Sequence, residues 1–437
     1  MTAIATRRTR YTVVGATMAV LLVVAAAAMF VVGVVTLSNS QEGEAVGVDP
    51  RPRVELPLTP NALLGLTDEA GELASVVVMT LLPEGQGGSV VTVPVNADTT
   101  AGFGLQRRPL DLSFDGTDVD DFVASVEDML SISIQRAEIV DAEGLEAMLP
   151  EIDALQLVLP DDVVDTRGGG GLISAAGPQT FTSRELVAIL AAIDDEAEVD
   201  VSHANDVAVW EALAKTAPVE VPPEPVAVDD IGRPIPPDTV GDLVERMWQG
   251  EVTVRDLLLA DLDELENPTG VDVVLIDRRD STLVFAQVSP GLVSTPNTGL
   301  KARIVANFTD EELDATDGLY DSSSELAIEL IGRLLFLSGN VVSVETAGTG
   351  VPPVTLIEVV DESQLEETIA AAETLLGGAE VRVSTTVLEG VDVQITLGMS
   401  YLEHEVDRAD GAEPSENEVP DSVAPTTDVP GTVEDDG

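Results

Sequence analysis

Few side chains in this chain could do chemistry, and they are unevenly supplied. Its 437 residues include no cysteine, which rules out a thiolate nucleophile or thiolate metal site, and only two histidines, His203 and His404. Acid–base or metal work therefore falls to carboxylates, with 79 Asp and Glu against 21 Lys and Arg. The run SFDGTDVDD (113–121) approaches a calcium loop in composition but not in EF-hand spacing, so a solvated acidic face is expected. Asp98 is a lone loop carboxylate, a weak candidate metal ligand. Anion chemistry would need cations, and Arg107 with Arg108 form a basic pair in the loop after an apolar strand. They are the candidate phosphate or lipid-headgroup contact; the plainer reading is an exposed pair offsetting local acids. A net charge of −58 with 3% aromatic residues excludes nucleic-acid binding through a basic surface.

The elements that must hold these groups alternate between strand and helix. ASVVVMTLL (74–82) and SVVTVPV (89–95) are apolar strands joined by the turn formers PEGQGG. DVDDFVASVEDML (118–130) is an amphipathic helix capped by Asp118, followed by strands at 132–140 and 154–160 around a short helix, 142–150. RGGGG (167–171) is a flexible loop, since no phosphate-cradle pattern follows it. Helices are expected at 182–193, with Thr182 as cap, and at 203–217, near 239–249 and at 253–264, with strands at 271–276 and 281–287. Trp210 and Trp248 sit on helical patterns and read as core anchors. Beyond a turn-rich link, strands at about 302–308, 340–347, 354–360, 379–384 and 391–398 alternate with helices at 322–339 and 362–377. The expected class is α/β, an α/β/α sheet domain (61–290) followed by a small α+β domain (300–404).

The ends read differently. Residues 12–37 carry no charge and exceed the roughly 20 residues that cross a bilayer. Arg7, Arg8 and Arg10 precede them, so residues 1–11 are expected in the cytoplasm, with a single membrane-anchoring helix and the bulk of the chain extracytoplasmic. Residues 38–60 form a polar stalk, and 405–437, acidic and rich in Pro, Ser and Thr, a disordered tail.

This layout resembles the LytR–CpsA–Psr family of cell-envelope proteins. VDVQITLGMSYLE (391–403) is similar to the close of that family's accessory C-terminal domain, and 126–163 to its helix–strand–helix–strand core. The resemblance implies transfer of a glycopolymer from a polyprenyl diphosphate to peptidoglycan with Mg²⁺, using arginines to neutralise the diphosphate and carboxylates to hold the metal. The charged positions depart from the family pattern. The first strand opens with Ala74 and Ser75 where the family has a metal-binding Asp. Val95 and Asn96 stand for an Arg-Asp pair, Ala191 and Ile193 for an Arg-x-Arg, and Asn205 with Asp206 for an Arg-Gln pair. Losing every diphosphate contact removes the electrostatic stabilisation that dominates such catalysis.

The resulting expectation is a membrane-anchored envelope protein without catalytic residues or cofactor, binding a polyprenyl-phosphate lipid, a cell-wall polymer or an assembly partner. Two alternatives stand beside it. One is an active phosphotransferase using Arg107 and Arg108 with Mg²⁺; the other is an acidic structural or adhesion protein.

Overall fold

The computed structural model describes residues 51–100, 107–167, 170–195, 199–217, 226–260, 262, 267–268, 270–293, 299–316, 318–347 and 350–411. The expected membrane helix (12–37) and the tail beyond 411 lie outside the described residues. Among the described residues no helix is long and apolar enough to cross a membrane. The chain divides into residues 1–53 and residues 54–437, and every element below belongs to the second unit.

The fold is mixed α/β. Of three strands, β1 (Asn61–Thr67), β2 (Leu73–Leu81) and β3 (Gly88–Val93), the central β2 runs antiparallel to both of the others. All residues of β2 and β3 are buried, which explains their largely apolar sequence, since a strand covered on both faces has no polar side to display. Their only polar side chains are the small hydroxyls of Ser75, Thr80, Ser89 and Thr92. Each such Val, Leu or Met contributes roughly 1.5–3 kcal/mol through burial. The β2–β3 turn needs glycine: Gly87 has φ of +68°, and a Cβ there would meet the Glu251 carbonyl oxygen at 2.6 Å.

Helix α1 (Val119–Leu130) follows, its Asp118 cap accepting from the N–H groups of Asp120 and Asp121 as the sequence predicts. Then come β4 (Ala137–Val140), α2 (Ala142–Met148) and an antiparallel ribbon of β5 (Leu155–Leu159) with β6 (Gly177–Phe181). Helix α3 (Ser183–Leu190) opens with the expected Thr182, in a full capping box with Glu185. Helices α4 (Val199–Ala214) and α5 (Val240–Met247) lead to β7 (Val252–Arg255). The first sheet has the order β7-β3-β2-β1-β4, with β7 parallel to β3 and β4 parallel to β1. Trp210 is buried and lies 6.4 Å from Trp248 between ring centroids, so both tryptophans are core anchors.

A second sheet is built from β8 (Lys301–Val305), β9 (Asn340–Glu345), β10 (Leu356–Val359), β11 (Glu380–Val383) and β12 (Val393–Thr396), in the order β9-β8-β12-β10-β11. Before it lies α6 (Arg278–Val288), between its strands α7 (Ser323–Phe336) and α8 (Leu365–Leu376), and after it α9 (Met399–Gly411).

Five sequence expectations need correction. The strand expected over 132–140 is confined to β4 (137–140), with Ile132 in an isolated bridge to Val293. In place of the predicted helix over 253–264, residues 253–255 belong to the strand β7, where β-branched Val252, Thr253 and Val254 pair with β3. Leu259–Ala260 is a second short strand, and 261 and 263–264 lie outside the described residues. The predicted strand 281–287 is helix α6, started by Asp277 accepting from the N–H groups of Arg279 and Asp280. Residues 280–286 are all buried, so the segment shows no polar face by which to recognise a helix. The predicted strand 271–276 shrinks to Leu275–Ile276 and an isolated bridge between Ala97 and Val274. Lastly, α9 runs past the expected start of the tail at 405, because Tyr401, Leu402 and Glu405 are buried at helical spacing.

Candidate functional site

Chain direction gathers the site. Because β2 and β3 are antiparallel, the start of β2 lies beside the end of β3, with Val76 opposite Val93. Ala74 therefore meets the loop Pro94–Val95–Asn96 at one edge of the sheet. β7 ends at the same edge, being parallel to β3. Backbone hydrogen bonds sew the neighbouring loops into place. Asp111 N–H donates to Val95 O (2.7 Å), Asp98 N–H to Val274 O (2.9 Å) and Thr166 N–H to Ile193 O (2.9 Å). These bonds bring segments distant in sequence around a single cavity of about 300 Å³.

Four of the positions singled out in the sequence, Ala74, Val95, Asn96 and Ile193, line that cavity, and so does Asp206. Ser75 is buried, and its hydroxyl lies near the Asp206 carboxyl without a hydrogen bond of good geometry. Ala191 is the C-cap of α3 and packs on the core. Asn205 turns elsewhere: its Oδ1 accepts the Asp161 N–H at 3.2 Å. Arg107 and Arg108 are not among the residues that line the cavity. Arg107 forms a 2.7 Å ion pair with Asp98, whose side chain is fully buried, and the Arg108 guanidinium donates to the Leu112 carbonyl at 2.5 Å. Asp98, the weak metal candidate, is thus a structural carboxylate: burial raises its pKa, but hydrogen bonds from Thr100, Arg107 and Arg108 outweigh that and hold it below the usual range.

Groups that the sequence reading missed complete the wall: Asp111, Arg167, Asp194, Asp195 and Asp272. No local motif marks the four aspartates, which come from three unrelated loops. Arg167 heads the RGGGG run, and its guanidinium bonds Asp195 through Nε at 3.0 Å and also pairs with Glu72. The cavity is therefore strongly acidic, with five aspartates around one guanidinium that carboxylates already hold.

The electrostatics follow from this crowding. Asp206 keeps an opening towards the cavity but is otherwise surrounded by protein, and burial pushes its pKa up to about 7, against the lowering pull of Ser75 and His203. Burial likewise raises Asp111 and Asp272, while the Arg167 hydrogen bond holds Asp195 low. His203 is buried, and its Nε2 lies 2.8 Å from Asp256. Both ends of the Asn96 amide and the Asp111 Oδ1 are buried without a hydrogen-bond partner. These oxygens would suit a hard cation, yet among the described residues no three His, Asp or Glu side chains gather closely enough to hold one. The described residues therefore do not fit the Mg²⁺ that the family resemblance implies.

No family model matches the chain, and no curated protein matches it. Among solved structures it is similar to B. subtilis TagV, with 14% identity over 52% of this chain and 94% of that one, at a TM-score of 0.37. A structure of B. subtilis TagT is 16% identical over 52% of this chain and 87% of its own, at 0.35. TagT bound to LIIa-WTA gives 14%, 52% and 88%, at 0.36. TagV and TagT are proteins of the LytR–CpsA–Psr family, the same family that the sequence resembles. Overlaps this loose carry no weight for the site, whose reading stands on its own residues.

Proposed function

We propose that the chain is a LytR–CpsA–Psr-like cell-envelope protein, anchored by residues 12–37 with its bulk outside the membrane, that binds or scaffolds an envelope component instead of transferring a phosphoryl-linked polymer. One observation carries the reading: among the described residues the cavity at the strand ends is lined by five aspartates, by His203, which Asp256 holds, and by a single guanidinium that is already paired. A diphosphate carries negative charge that grows on the leaving group, and a transferase must meet it with cations. Here the wall would repel the substrate, and the chain's net charge of −58 would slow its approach.

Whether the occupant is a polyprenyl-phosphate lipid, a wall polymer or an assembly protein is a matter for direct recovery from the membrane. The test of the reading is catalytic. Purified full-length protein, given a short prenyl-diphosphate-linked saccharide with Mg²⁺ and a peptidoglycan acceptor, is expected to release no prenyl monophosphate and transfer no saccharide phosphate above background. Turnover abolished by Arg167→Ala or Arg107→Ala would reverse the reading in favour of a phosphotransferase.

A further inference from the structure

At the other end of β2 from the acidic cavity lies a second groove, of about 260 Å³, bordered by Leu58, Leu81, Leu82 and Ile235. Three of these are unusually open for large aliphatic residues: Leu58 is 55% exposed, Leu82 43% and Ile235 44%. A hairpin beside the groove extends the patch. Ile235 N–H donates to Ala227 O (2.9 Å) and Asp229 N–H to Arg233 O (2.8 Å), while the Asp229 carboxylate accepts from the Ile231 and Arg233 N–H groups. These bonds hold the turn in one shape, so Ile231, 70% exposed, and Val228, 55% exposed, are presented rather than loosely displayed.

The character of the patch narrows what can cover it. Six prolines line the groove, at 57, 60, 83, 234, 236 and 237. Lacking N–H groups, they offer no ladder to which a peptide strand could be added. No aromatic side chain lines it, whereas Trp and Tyr usually anchor protein interfaces. The bordering arginines are neutralised, Arg233 by Glu55 and Arg246 by Asp242, leaving an aliphatic groove in a highly acidic chain, although the hairpin tip also exposes Asp229 and Asp230 beside Ile231. The chain also enters here: Glu55, Leu56 and Pro57 line the groove, and exposed Val54 is seventeen residues from the end of the charge-free run 12–37. Covalent geometry limits that distance to about 60 Å.

We propose that the hairpin 227–235 and the groove beside it dock on the lipid bilayer, Ile231 entering the boundary between headgroups and acyl chains. The proposal rests on the reading of 12–37 as an anchor and adds to it a second contact, which would fix the orientation of the body at the membrane. An interfacial contact of this kind gains from aliphatic area without needing a spanning segment.

The absence of cysteine makes the test direct. Single-cysteine full-length variants, Ile231→Cys and, as a control, Phe336→Cys (88% exposed at the end of α7), are labelled with an environment-sensitive fluorophore. They are placed in phosphatidylcholine nanodiscs with and without nitroxide-bearing lipid. Nitroxide lipid is expected to quench the label at 231 by about twofold or more and to leave that at 336 unchanged. Equal emission with and without nitroxide at 231, in discs that hold the protein, overturns the docking and leaves the anchor intact. Cross-linking of position 231 to a protein in native membranes, without quenching, overturns it in favour of a protein partner. A chain that fails to enter discs at all overturns the anchor and the proposal together.

Discussion

Asp206 holds its proton at pH values where an ordinary aspartate has lost it. Its carboxyl is raised from 3.8 to about 7 in the folded state, so the folded chain binds more protons than the unfolded chain between those values. Stability must therefore fall as pH rises through that window, and the penalty is complete above it. Asp206→Asn removes the effect. Urea denaturation is expected to give equal stabilities near pH 4 and a more stable variant at pH 8, by at most about 4 kcal/mol and less where cavity water screens the charge. Parallel pH profiles for the two proteins would show that Asp206 is solvated. The Arg107–Asp98 pair makes the opposite case, because removing one partner strands a buried carboxylate. Arg107→Ala should cost about 3 kcal/mol, and Arg108→Ala, which loses a surface bond to Leu112, well under 1 kcal/mol. Thermal melts of the two variants separate these costs. Position was legible at this scale: Ala74, Asn96 and Ile193 do meet, because strand order follows from apolar runs. The acidic wall was not, because Asp111, Asp195 and Asp272 are single loop residues whose convergence depends on backbone bonds to distant segments.

Helix α6 governs the element scale. Leu283, Val284 and Phe285 belong to one continuous core with Val76 and Val91 of the first sheet and Ala302, Ile304 and Val341 of the second. Phe285→Ala should cost about 4 kcal/mol, and denaturation followed by tryptophan fluorescence and by far-ultraviolet circular dichroism should stay superimposable. Two separated transitions would mean that the sheets fold independently. Capped, amphipathic α1 and α3 were readable because Asp118 and Thr182 announce them and one face stays polar. α6 was not, since burial on every side erases the 3.6-residue period, and its β-branched and aromatic residues resemble a strand. α9 is tied down by a different device. Glu405, fully buried, pairs with Arg333 at 2.5 Å and Arg408 at 2.8 Å, while Arg333 sits 5.7 Å from the centroid of the Tyr401 ring. Glu405→Ala leaves two guanidinium groups without their shared partner and is expected to lower stability by about 3 kcal/mol; Glu405→Gln, which keeps the volume, should lose less. Denaturant midpoints of both variants check this order.

The whole molecule carries 79 acids against 21 bases, so self-repulsion acts on every part of its surface. Salt screens that repulsion over a Debye length of about 10 Å at 0.1 M and about 3 Å at 1 M. The melting temperature is therefore expected to rise by several degrees between about 0.05 and 1 M NaCl, and a fall would mean that the ion pairs outweigh the net charge. The common core around α6 has one more consequence, for inheritance. A recombination event that joined residues 1–290 to a foreign partner would carry the helix away from the second sheet, while a break before 278 would leave the first sheet without it. Either descendant would begin with a greasy wound where Phe285 had been, so the two halves of this gene are expected to travel through evolution as one piece.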